Sequence, residues 1–144
     1  MAFRGHFDHS LDAKNRLSIP AKFRASFSDG LVVGPWLDPC VAVFTPEGFE
    51  KFTVDVIPNL HPLRSERRKI ESFFAQRFFD ADLDSAGRIT LGPSLLAHAN
   101  IEKDVVVGGT RNRLEIWDRD LWAERTTELA AEVNDIAEGL DHPS

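Results

Sequence analysis

Two short segments hold the residues whose types and spacing point to chemistry. Asp12-Ala13-Lys14-Asn15-Arg16 and Asp84-Ser85-Ala86-Gly87-Arg88 each set a carboxylate four residues before a guanidinium. A three-residue hairpin loop is commonly a type I turn followed by one residue in the left-handed region. Counting Ala13-Lys14-Asn15 and Ser85-Ala86-Gly87 as the loops puts Asn15 and Gly87 at that position, which Asn and Gly tolerate most cheaply. Asp12 then faces Arg16 across the loop base, and Asp84 faces Arg88. Each carboxylate is placed to orient its guanidinium and to accept from loop amides. A loop held by such a pair, with a lysine at one tip, is on its own no more than a well-made turn; its recurrence at the same spacing, with Arg on the outer face in both copies, favours a functional role.

Other reactive constellations are weak. His6, Asp8, His9 and Asp12 are close in sequence, but strand alternation sends His6 and His9 to opposite faces, so they read as surface residues rather than a metal site. Cys40, the single cysteine, opens an apolar strand and reads as buried and inert. There is no phosphate-binding loop, no dinucleotide fingerprint and no nucleophile elbow. The Asp residues of the turns are paired with Arg, which argues against a carboxylate acid–base dyad. The expectation is a protein that is not an enzyme and takes neither cofactor nor metal.

The elements that must position the two loops follow from an internal repeat. Residues 7–19 align with residues 79–91, with five of the 13 pairs identical. Pro20 and Pro93 follow, so the second copy has one extra residue near Gly92. Leu31-Val32-Val33-Gly34 then matches Val105-Val106-Val107-Gly108, and Val41-Ala42-Val43-Phe44 matches Leu114-Glu115-Ile116-Trp117. Each copy runs into a helix start, with Thr45 and Asp118 as N-caps. Phe44 with Phe49, and Trp117 with Trp122, have the spacing of a hydrophobic staple.

Each copy therefore reads as strand, turn, strand, short helix, strand, strand, longer helix. A unit of this size buries too little apolar surface alone, so the two copies are expected to pack about a pseudo-two-fold axis. Helices are expected near 62–78, with Leu63, Ile70, Phe73, Phe74 and Phe78 on the apolar side, and near 119–140, with Trp122, Leu129, Val133, Ile136 and Leu140 at helical spacing. Alternation turns Phe3, Phe7, Leu11, Leu17 and Ile19 inward in copy one, and Phe79, Leu83, Ile89 and Leu91 inward in copy two. Gly139 to Ser144 read as a frayed end.

Length and composition bound the rest. The chain has 144 residues, 42% hydrophobic and 28% charged, with 11 Phe, three Trp and no Tyr, as in a folded globular protein. No apolar run approaches a membrane span and the first residues lack a signal-peptide core, so a cytosolic bacterial protein is expected. The net charge of -6 argues against a protein coated in positive charge. Its distribution is uneven: residues 1–72 carry 10 basic and 9 acidic side chains, and residues 73–144 carry 7 and 14. Arg64, Arg67, Arg68 and Lys69 form a basic cluster, and Glu124, Glu128 and Glu132 repeat at spacing four; both read as solvated helix faces.

Asp12–Arg16 followed by Pro20, Asp84–Arg88 followed by Pro93, the opening Phe3-Arg4-Gly5 and Leu114-Glu115-Ile116-Trp117 together resemble the MraZ family over nearly the whole chain. The resemblance implies an α+β fold of two tandem swapped-hairpin units of the SpoVT-AbrB type, at 5–48 and 77–120. A helical connection fills 49–76, and an acidic helix and tail follow at 121–144. It also implies a nucleoid-bound bacterial transcriptional regulator, a ring-shaped homo-oligomer that binds double-stranded DNA at G-rich direct repeats upstream of its own operon, the division and cell wall cluster. The DNA-binding residues are then Arg4, Lys14, Arg16 and Arg88, with Asp12, Asn15, Asp84 and Gly87 orienting the loops. Asn15 departs from the family's usual Gly, and Ala86 leaves the second loop tip without a lysine. Copy one is expected to dominate DNA contact, because its outer face is the more basic. Two other readings use the same fold: an antitoxin whose acidic tail wraps a toxin, and a ring scaffold without DNA specificity.

Overall fold

The computed structural model describes residues 2–56, 59, 61 and 63–141. Copy one consists of β1 (His6–Ser10), β2 (Arg16–Ser18), α1 (Ala21–Arg24) with a 3-10 turn at Ala25–Phe27, β3 (Leu31–Pro35), β4 (Val41–Phe44) and α2 (Pro46–Val56). After α3 (Ser65–Arg77), copy two repeats the order with β5 (Phe79–Ala81), β6 (Arg88–Thr90), α4 (Pro93–Ala99), β7 (Asp104–Thr110), β8 (Arg113–Asp118) and α5 (Arg119–Asp141).

The copies exchange strands. β1 and β2 do not pair with each other: β1 pairs with β7 and β2 with β6, while β5 pairs with β3. The result is a six-stranded antiparallel sheet in the order β1-β7-β8-β4-β3-β5, beside the two-stranded β2-β6 ribbon. That order reads the same from either end once the copies are interchanged. The registers agree: Ala42 lies opposite its repeat mate Glu115, and Leu17 opposite its mate Ile89. This is the pseudo-two-fold, swapped-hairpin architecture that the repeat and the family resemblance imply.

Both faces of the central strands are covered, which is why β3, β4, β7 and β8 carry near-continuous apolar runs. One face, with Val33, Val43, Val107 and Ile116, packs on Leu17, Ile19, Ile89, Leu91, Phe23 and Leu95 beneath the ribbon and short helices. The other, with Val32, Ala42, Phe44 and Trp117, packs on Phe49, Phe52, Phe74 and Trp122 from the long helices. Thr45 caps α2 by accepting from the Gly48 amide at 3.0 Å, and Asp118 caps α5 by accepting from Leu121 at 3.1 Å. The Phe44–Phe49 staple closes at 5.4 Å between ring centroids. Cys40 is fully buried, and burial followed by the charges of Glu115 and Asp38 pushes its thiol pKa up.

The structure corrects the apolar assignments in three places. Phe79 is 62% exposed, and it is Phe78 that enters the core. Phe78 lies on Gly34, where an added Cβ would sit 2.5 Å from its ring, and it stacks on Phe49 at 5.1 Å. Alternation then turns Phe79 the other way at the sheet edge. Its mate Phe7 is covered by the Phe23 ring at 5.6 Å, but the position matching Phe23 is Leu96. Leu63 precedes α3 and is 80% exposed; Pro62 lies outside the described residues. Leu129, Val133, Ile136 and Leu140 form an exposed stripe, because α5 touches the sheet only near its start. α5 continues through Gly139 to Asp141, and His142–Ser144 lie outside the described residues.

Candidate nucleic-acid interface

The two Asp–Arg loops have the same hydrogen bonds. Asp12 Oδ1 accepts from the amides of Lys14 and Arg16, both at 2.9 Å, and Oδ2 accepts from Arg16 Nε at 2.7 Å. Asp84 Oδ1 accepts from the amides of Ala86 and Arg88, both at 2.9 Å, and Oδ2 from Arg88 Nε at 2.8 Å. The turn bonds repeat as well: Asn15 N donates to Asp12 O at 3.0 Å and Gly87 N to Asp84 O at 2.9 Å. Asn15 has φ 57° and Gly87 φ 76°, the left-handed position that closes such a loop.

One carboxylate thus does two jobs. Oδ1 holds the loop backbone, and Oδ2 fixes the arginine through Nε. Binding at Nε leaves both Nη groups available, and these are the donors that can meet an acceptor pair edge-on. The amides of Arg16 and Arg88 are the first cause holding the Asp12 and Asp84 carboxyls below the usual range, with the guanidinium bonds and the second loop amide adding to it. Both aspartates are therefore charged at neutral pH.

Strand exchange brings the loops together. Ile19 N donates to Gly87 O at 3.0 Å, and Leu91 N to Asn15 O at 2.9 Å, so each loop is tied to the strand end of the other copy. Arg88 Nη1 lies 3.8 Å from Asp12 Oδ2. Arg16 and Arg88 are each 30% exposed at the side chain. The pair forms one composite face, with Lys14 exposed at one loop tip and Ala86 at the other.

Arg4 is placed differently. It is exposed, but it lies before β1 whereas Asp12 follows that strand, and five strand residues span about 17 Å. His6 packs tilted against Trp122 at 4.7 Å between centroids, and the carbonyl of His9 accepts from Arg119 Nη2 at 2.8 Å. The basic cluster is partly engaged: Arg67 pairs with Glu71 at 2.8 Å and Arg68 Nη1 donates to Leu63 O at 2.8 Å.

One residue of this face escaped the sequence reading. Arg24, at the end of α1, donates from Nε to Ile19 O at 2.9 Å and lies over Gly87, where an added Cβ would meet its Nε at 2.5 Å and its Cδ at 2.7 Å. The repeat gave no signal for it: Arg24 follows Pro20 by four residues, but the residue four after Pro93 is Ala97.

The comparisons with known proteins agree with one another. The MraZ protein family, whose description adds "antitoxin-like", matches residues 2–61 and 76–141. A protein of Natranaerobius thermophilus named "Transcriptional regulator MraZ" is 37% identical over 138 residues, covering 96% of both chains. Proteins of the same name from Thermoanaerobacter pseudethanolicus and Lachnoclostridium phytofermentans are each 34% identical, the first over 95% of both chains, the second over 92% of this chain and 93% of its own.

Proposed function

The chain belongs to the MraZ family, and from that premise and the loop geometry we propose that it is a DNA-binding transcriptional regulator of the bacterial cytoplasm and nucleoid. It represses its own operon, the division and cell wall cluster, by binding G-rich direct repeats. One observation carries this reading: two adjacent arginines, each held through Nε by an aspartate that also braces its loop, on one composite face. Arg16 and Arg88 read guanine edges, Lys14 meets phosphate or a second guanine, and Asp12, Asn15, Asp84 and Gly87 hold the loops in shape. Arg4, at the far end of β1, serves as an outlying phosphate contact.

One protomer brings few cations, and its net charge is -6. Affinity rises with the number of phosphates neutralised, so a lone copy binds weakly. A ring of copies overcomes this by avidity, with adjacent direct repeats engaging adjacent protomers. The surface supports such assembly. The exposed apolar stripe of α5 borders a groove of about 650 Å³ lined by Gly5, His6, Gly108, Gly109, Trp122 and Leu129. α5 exposes Glu124, Glu128 and Glu132, and α3 with its approach exposes Arg64, Arg68 and Lys69. The occupant that these charges select is a second copy, docked head to tail, which is the arrangement that closes rings.

The test is a fluorescence-anisotropy titration against a duplex of tandem G-rich boxes from upstream of the gene and a scrambled duplex of equal length, with the assembly mass measured by light scattering. Salt-sensitive preference for the boxes, lost in Arg16→Ala with assembly intact, is expected. A correctly assembled protein without that preference overturns the regulator, and a tightly binding monomer overturns the ring. Co-purification of a small toxin would instead favour the antitoxin reading.

A further inference from the structure

The second loop looks deficient: its tip is Ala86 where the first has Lys14. The strand exchange supplies a cation from elsewhere. Ile19, the residue after β2, bonds to Gly87, so α1 of copy one starts beside the loop of copy two. Arg24 extends from the end of α1 over Gly87 and is anchored there by its Nε bond to Ile19 O. Its side chain is exposed, and among the described residues no carboxylate pairs with it. Arg16 and Arg88 each have an aspartate partner. Arg24 is thus a guanidinium held in place by a backbone carbonyl and not neutralised by an acid. That suits a phosphate, which can take both Nη groups at once.

We propose that Arg24 is a DNA-phosphate contact of the second loop, lent by copy one to copy two in place of the missing tip lysine. The proposal rests on the DNA-binding reading above. It gives Gly87 a second reason to be glycine, since the room above it is filled by the side chain that meets the DNA. It also makes the composite face more balanced than the repeat pattern indicates, with Lys14 beside one reading arginine and Arg24 beside the other. A phosphate contact adds affinity uniformly across sequences and raises the salt slope, whereas a base contact changes the preference for the boxes.

The experiment compares Arg24→Met and Arg24→Lys with the unmodified protein by anisotropy, at several salt concentrations, on the G-rich duplex and on the scrambled duplex. Thermal unfolding and assembly mass are measured alongside. Met keeps an apolar stem over Gly87 and removes the charge; Lys keeps the charge and loses the anchoring Nε. Arg24→Met should bind both duplexes about tenfold more weakly, with the salt slope reduced by about 0.9 per engaged protomer; both variants lose the Nε bond to Ile19 O and should melt slightly and equally lower. Arg24→Lys should recover most of the affinity and the slope. Met binding as tightly as the unmodified protein overturns the proposal. Equal weakening of DNA binding in both variants overturns it too, because the charge then does nothing and Arg24 only covers the loop. Loss confined to the G-rich duplex assigns Arg24 to bases and overturns the phosphate role. If the unmodified protein binds neither duplex, the DNA reading itself fails and takes this contact with it.

Discussion

The two Asp–Arg loops share every internal hydrogen bond and differ in what surrounds them. Loop one has an exposed lysine tip and an exposed Asn15 at the left-handed position. Loop two has Ala86 at the tip and a buried Gly87 beneath the Arg24 side chain. The position that matches Arg24 in the repeat is Ala97, too short to fill the same space. The internal turn chemistry therefore demands only a residue that tolerates positive φ, and both Asn and Gly meet that demand. The further choice between them is made from outside the loop. The two copies of one turn differ in their surroundings: Arg24 of copy one covers Gly87, whereas Asn15 is exposed.

The largest effect expected from this comparison is in DNA affinity. Arg16→Ala should weaken binding to the G-rich boxes about 100-fold across an assembled ring, since each bidentate base contact contributes about 1–3 kcal/mol of discrimination. Arg88→Ala should cost clearly less, because the segment leading into its loop carries Asp80 and Asp82. Equal losses, with both variants folded, would break the claim that the loops are functionally unequal. A smaller effect concerns the left-handed residue. Gly87→Asn must push Arg24 aside and break its bond to Ile19 O, costing about 1 kcal/mol in denaturant unfolding. The same substitution in an Arg24→Ala background should cost markedly less, and Asn15→Gly should be nearly neutral. A Gly87→Asn penalty that persists without Arg24 would mean that the backbone, not the overlying side chain, requires glycine.

The loops were legible in the sequence because their determinants are local. An aspartate two residues before one amide and four before another, with a positive-φ residue between, fixes a turn wherever it stands. The pseudo-symmetry was legible because the repeat carries it, down to Leu17 opposite Ile89. Partner choice was less so. That Arg24 covers the loop of the other copy follows from strand exchange, which pairs residues some 70 apart, and no spacing near Arg24 reports it. Phe78 and Phe79 illustrate the same limit: either ring fits the alternation, and the decision belongs to Gly34 and the rings of α2 and α3. The α5 stripe has correct helical spacing, yet spacing identifies an apolar face and not what covers it.

The pH response offers the finest test of the comparison, because one part is common to both loops and one belongs to copy one alone. Asp12 and Asp84 have depressed carboxyl pKa values in the folded loops, so their contribution is complete above the ordinary carboxylate value of about 3.9 and is lost only as pH falls through the lower folded value. Neither loop should change between pH 8 and pH 5. His9 has no counterpart, since Ala81 occupies its place in copy two. Burial first, and the Arg24 charge second, lower its pKa from the usual value of about 6.5, with Asp8 opposing. The folded chain then favours neutral His9, so stability should decline slightly as pH falls through about 6.5 and level off below the folded value. Arg24→Met removes the second cause and keeps the first, so the His9 ring followed by NMR should titrate at a higher pH in that variant while still below 6.5. An unshifted His9 would mean that the Arg24 charge is not felt at β1, and the pH response of His9 would then come from burial alone.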